Sequence, residues 1–152
     1  MRRMRNRTST ERGARDVADG LHSAAIHLLR RARKQDTATG EGPARLSALS
    51  VLVFGGQTTL GRLAAAEQVK PPTMSRIVAG LKHSGLVHIE ADMRDARRVQ
   101  IAATAKGVRL VQKARQRRIA HLAKQLGRLR SEDLRALAKA VQVLEKTIRD
   151  WR

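Results

Sequence analysis

The sequence predicts a mainly α chain: a winged helix-turn-helix with a two-stranded β wing and a helical dimerisation region. Three observations carry this. Apolar residues recur at helical spacing through most of the chain, and the period changes only after Gly85, over two short runs. The pair Pro71-Pro72 opens a short helix directly after a brief turn. The 32 Lys and Arg against 13 Asp and Glu leave a formal net charge of +19 on 152 residues. Such a charge repels itself unless a polyanion or solvent screens it, and so favours a nucleic-acid partner.

Residues 1–14 are Arg-rich with almost nothing apolar, and read as a basic flexible arm. From Asp16 the pattern is helical: Val17, Leu21, Ala24 and Leu28 recur at spacings 4, 3 and 4. The basic cluster Arg30, Arg31, Arg33 and Lys34 suits a helix C-terminus. DTATGEGPA then breaks the pattern, so 15–44 reads as an N-terminal dimerisation helix and loop.

Residues 45–103 read as the winged helix-turn-helix DNA-binding domain. RLSALSVLVF is a short apolar helix stopped by Gly55-Gly56. Thr59 is placed to cap the next helix, over 60–67. The turn Gln68-Val69-Lys70 leads to a helix that starts near residue 72 and runs to Gly85, with Met74, Ile77, Val78 and Leu81 inward. LVHIE and RVQIA then form a hairpin around the charged tip ADMRDAR. Residues 104–152 read as C-terminal dimerisation helices. Thr104 caps a long helix to about residue 128, and 104–130 carries nine basic side chains and no acidic one. Ser131 is the expected cap of the last helix, with Glu132 and Asp133 in its first turn.

Composition excludes several classes. With no cysteine there is no disulfide, thiolate metal site or thiol switch. No run approaches the ~18 apolar residues of a membrane helix, and the start lacks the apolar core of a secretory signal. No membrane partner and a cytoplasmic location, nucleoid-associated through DNA, are expected. Phe54 and Trp151 are the only aromatics, too few for base-stacking platforms. There is no Gly-rich phosphate loop, nucleophile elbow or framed carboxylate pair, so no enzyme and no cofactor are expected.

The major groove admits one α-helix, whose first turns reach base edges. Here those turns expose Thr73, Ser75 and Arg76, with Lys70 and Lys82 as flanking cations. At the hairpin tip, Arg94 is suited to a narrow minor groove with Asp92 as its holder, and Arg97 and Arg98 to phosphate. Leu137, Val141, Leu144, Ile148 and Trp151 continue a narrow heptad seam from Leu134, and Val17, Leu21 and Leu28 form a second. Both suit a homodimer, which would supply two half-sites ~34 Å apart.

The stretch 58–107 resembles the DNA-binding core of the MarR family of bacterial transcriptional regulators. PPTMSRIVAGL resembles its recognition helix, SGLVHIEADMRDARR its strand and wing with the D-x-R-D-x-R pattern, and TAKG the start of the following long helix. His88 stands where the family often has Arg, and Ala103 where it has Leu. The resemblance implies a homodimer on a pseudo-palindromic double-stranded operator, most often a repressor. It also implies a small-molecule effector site between the dimer helices and the reading head. His22, His27 and Arg45 are its weak candidates, and the His spacing of five does not suit a metal, so none is expected. The rival reading is a low-specificity DNA-coating protein, motivated by the charge.

Overall fold

A computed structural model of the chain describes residues 2–91 and 99–151, with side-chain surroundings from Arg12 onward. Six helices and one two-stranded sheet follow in order: α1 (Arg2–Lys34), a 3-10 turn (Gln35–Thr39), α2 (Pro43–Gly55), α3 (Leu60–Ala66), α4 (Pro71–His83), β1 (Val87–Ala91), β2 (Val99–Ala103), α5 (Ala105–Leu126) and α6 (Ser131–Asp150). Contacts divide them into two compact units, 1–114 and 115–152.

Two helix starts differ from the sequence reading. The segment 1–14, expected as a flexible arm, belongs to α1 from Arg2 onward. Arg and Met are good helix formers, and the segment contains no proline to stop them. The second difference is at α6, where Ser131 is the first helical residue and not the cap. Arg130 takes the cap position, with its Nε 2.9 Å from Asp133 Oδ2 and its Nη2 3.3 Å from Oδ1. This side-chain fork holds the helix start without a hydroxyl cap. The loop before α2 is also shorter than expected, because Pro43 serves as the first residue of that helix.

The core of the first unit joins α2, α3, α4, the hairpin and the start of α5. Leu49, Leu63, Met74, Leu81, Leu86, Ile101 and Val111 are its largest fully buried side chains. The alternation in α4 is complete: Met74, Val78 and Leu81 are buried while Thr73, Ser75 and Arg76 are exposed.

α3 and α4 end in the same way. After α3, Val69 N–H donates to Ala64 C=O and Gln68 N–H to Ala65 C=O, at 3.0 and 3.1 Å. After α4, Leu86 N–H donates to Leu81 C=O and Gly85 N–H to Lys82 C=O, both at 2.9 Å. Each is a Schellman closure, in which a left-handed residue lets the next apolar side chain fold back on the core. Gly85 (φ 69°) fills that position after α4, and Gln68 (φ 54°) after α3. An L residue there costs roughly 1–2 kcal/mol, offset by seating Val69 against the core.

β1 and β2 pair antiparallel with Val87 opposite Ala103, Ile89 opposite Ile101 and Ala91 opposite Val99. A short third bridge, absent from the sequence reading, ties Thr58 to Ile101 through 2.8 and 3.1 Å hydrogen bonds. Burial falls outward along the hairpin: Val87 and Ile101 are buried, while Ile89 and Val99 are exposed. Ala103, in place of a larger residue, packs half-buried against the core.

Thr104 caps α5 as its sequence suggests, accepting from Gly107 N–H at 3.1 Å. Gly107 is buried against the Leu86 carbonyl, and a Cβ there would collide with that oxygen and stand 3.1 Å from Leu49 Cδ1. A backbone carbonyl cannot move aside as a side-chain end can. Gly107→Ala is therefore expected to cost about 2 kcal/mol net, because overpacking outweighs the roughly 1 kcal/mol gained in helix propensity. Urea denaturation of the two proteins measures it.

Candidate nucleic-acid interface

Proline explains how α4 presents itself. Pro71 and Pro72 occupy the first turn and carry no N–H. The next two N–H groups, of Thr73 and Met74, both donate to Lys70 C=O, at 3.0 and 3.1 Å. The start of α4 thus keeps the positive end of its dipole but has no free N–H for a phosphate, unlike an ordinary helix N-terminus. Contact with a polyanion falls to side chains.

Those side chains are available. Lys70, Thr73, Ser75, Arg76 and Lys82 are all exposed. Among the described residues, Thr73, Ser75 and Arg76 have no side-chain hydrogen bond or ion pair. The local capping that could have used either hydroxyl is not made. α4 contains no acidic residue, and Lys82 and His83 close its last turn. Its outer face combines two hydroxyls, one guanidinium and flanking ammonium groups, a set able to read base edges and hold phosphate.

The wing begins on the same unit. His88 Nε2 lies 3.2 Å from Glu90 Oε1 on the exposed part of β1. Asp92, Arg94, Arg97 and Arg98, the expected groove and phosphate contacts, lie outside the described residues.

The three effector candidates do not converge on a visible site. His22 and His27 are both exposed on α1. Arg45 is engaged instead: its Nη1 donates to Glu41 Oε2 at 3.2 Å. Sequence reasoning missed this pair, although the spacing of four was readable. The positive φ of Gln68 carried no sequence signal, since glycine is the usual mark of that conformation.

The apolar seams are open to solvent in the single chain. On α6, Leu134, Leu137, Val141 and Ile148 are exposed and Leu144 is half-buried; Trp151, directly after the helix, is exposed as well. On α1, Val17, Leu21 and Leu28 are exposed, Val17 by 70%.

No protein-family model matches the chain. Relatives do. The HTH-type transcriptional regulator ML2140 of Mycobacterium leprae is 33% identical over 132 residues, 87% of this chain and 92% of the relative. A MarR family protein from Bacillus stearothermophilus superposes with a TM-score of 0.77 at 24% identity, covering 91% of this chain and 97% of that one. The chain belongs to the HTH-type transcriptional regulators, and its fold is that of MarR family proteins. A mutant MepR from S. aureus bound to an oligodeoxyribonucleotide shares the fold, with a TM-score of 0.66 at 18% identity over 84% of this chain and 94% of that one. Among the described residues no helix is long and apolar enough to cross a membrane.

Arg76→Ala is expected to weaken duplex binding by about 1–3 kcal/mol and to leave thermal stability nearly unchanged, because an exposed side chain without partners contributes little to folding. Fluorescence anisotropy and a melting curve on one preparation separate the two effects.

Proposed function

We propose that this HTH-type chain is a regulator of the MarR kind: a homodimeric, sequence-specific repressor that binds double-stranded operator DNA and is released by a small-molecule effector. The exposed and uncommitted face of α4 carries the reading. In this reading Thr73, Ser75 and Arg76 meet base edges and adjacent phosphates in the major groove. Lys70 and Lys82 hold the flanking backbone. Arg94, held by Asp92, enters the minor groove, and Arg97 and Arg98 bind phosphate. The DNA-bound MepR mutant supports duplex DNA as the partner. Repression would be steric, by occupancy of promoter DNA, and an effector would act by changing the separation of the two reading helices. No catalytic group or cofactor enters this account.

Dimerisation is supported by the exposed seams on α6 and α1. Fully burying one Leu or Ile side chain is worth roughly 1.5–3 kcal/mol, so leaving a whole row in water has a cost that a second copy removes. A dimer also provides two reading helices for a pseudo-palindromic site.

One observation favours the coating-protein reading. α5 contains no acidic residue, and Arg109, Lys113 and Lys124 stand exposed on it. A titration at ~150 mM salt with an operator-containing and a shuffled duplex separates the readings. A regulator is expected to prefer the operator by about 10³-fold or more. Equal binding with a steep salt slope would sink it in favour of DNA coating.

Leu144→Asp is expected to break the dimer, because it places a charge in the apolar seam. Sedimentation velocity reads this directly, and a profile identical to wild type would remove α6 from the interface.

A further inference from the structure

Arg45 lies in the first turn of α2, and its guanidinium is held from two sides. Nη1 is on Glu41 Oε2 at 3.2 Å. The rest of the group lies over Gly80 of α4, where a Cβ would stand only 2.5 Å from Cζ and 2.6 Å from Nε. The guanidinium therefore occupies the space that a side chain at position 80 would fill. Gly80 lies two turns beyond Thr73 and one beyond Arg76, on the flank of the same exposed face.

The other end of this contact is also fixed. The Glu41 side chain is 10% exposed, against 44% for Arg45, so the carboxylate is the buried anchor. Glu41 N–H donates to Thr39 Oγ1 at 3.2 Å, and Thr39 Oγ1 donates to Asp36 C=O at 2.7 Å. A continuous path runs from the loop after α1, through Glu41 and Arg45, to the backbone of α4.

We propose that Arg45 is a positioning residue that braces α4 for base reading; this rests on the DNA-reading role proposed above. Two physical points support position over stability. The Arg45 end of the pair is 44% exposed, so solvent screens it and its contribution to folding is small. A guanidinium is planar and permanently charged, so it can cover a glycine with its face while an edge N–H donates to a carboxylate, which an ammonium cannot do. The brace also gives a reason for glycine inside α4: Gly80 has no positive φ, so no backbone conformation requires it.

The test compares wild type, Gly80→Ala, Arg45→Ala and the double variant, all as full-length chains. Each protein is titrated against the duplex that wild type enriches from a random library and against a shuffled duplex. Alanine at position 80 displaces the guanidinium yet favours the helix, so its melting temperature is expected at or above wild type. Its selectivity is expected to fall about 5–10-fold, the Arg45→Ala loss to be similar, and the double variant to be no worse than either, as for two changes that remove one contact. Nitrogen-15 relaxation of the Arg45 Nε–Hε group, identified by its loss in Arg45→Ala, gives a second reading. It should be as rigid as the backbone in wild type and mobile in Gly80→Ala. A mobile group in wild type, or unchanged selectivity in Gly80→Ala, would overturn the brace alone. A wild-type protein that enriches no sequence would overturn the regulator reading and the brace with it.

Discussion

Three consecutive carbonyls at the end of α4 form the joint on which the reading head depends. Ser84 C=O accepts from Lys106 Nζ at 2.8 Å, Gly85 C=O from Thr104 Oγ1 at 2.8 Å, and Leu86 C=O from Thr104 N–H at 3.0 Å. All three donors come from the four residues that open α5. Gly107 completes the joint by letting α5 approach the Leu86 carbonyl as closely as backbone allows. Since β1 begins at Val87 and β2 ends at Ala103, the same few atoms fix the last turn of α4, the base of the hairpin and the first turn of α5. The hairpin and α4 cannot be reoriented independently without breaking these hydrogen bonds and opening the close backbone contact of Gly107 on the Leu86 carbonyl.

The start of α4 has the opposite character. Two prolines remove two donors, and Lys70 C=O takes the next two. A helix N-terminus that grips phosphate with its backbone binds any sequence equally. Here the backbone contribution is reduced to the dipole, and in the proposed reading discrimination passes to Thr73, Ser75 and Arg76. Fixed backbone geometry at one end and a closed joint at the other leave α4 a rigid rod whose side chains vary freely. Substitutions on the outer face would therefore leave Met74, Val78 and Leu81 beneath undisturbed.

Much of this was legible in one dimension because the signals were strong and local. Prolines at the start of α4, a glycine at its end, Thr59 and Thr104 before α3 and α5, and alternation after Gly85 each have a single dominant physical meaning. Less legible were features in which one residue does the work usually given to another. Gln68 adopts the conformation that glycine marks, Arg130 holds the cap position of α6 with its guanidinium on Asp133 and no side-chain cap, and an arginine-rich segment continues α1 because charge density does not prevent helix formation. The outer face of α4 could be named from periodicity, but the freedom of its hydroxyls could not, since local capping was equally compatible with the sequence. Gly80 was silent because its reason is a side chain 35 residues away.

The charge and the exposed seams are linked. A proposed dimer brings together two chains of +19 each, and their repulsion opposes the apolar burial that would join them. Salt therefore acts in opposite directions on the two steps. Screening weakens repulsion between subunits, with a Debye length of about 8 Å at physiological ionic strength, and so favours the dimer. The same ions compete for phosphate and disfavour the DNA complex. At protein concentrations near the dimer dissociation constant, rising salt would recruit subunits while it weakened each contact, so the apparent salt slope would understate the number of phosphates neutralised. DNA itself supplies the complementary term: its phosphates neutralise both subunits at once, so a duplex with two half-sites stabilises the dimer beyond what its apolar seam achieves alone. For the proposed dimer, assembly and DNA binding would then be a single coupled equilibrium, with the operator as the counterion that lets the apolar faces meet.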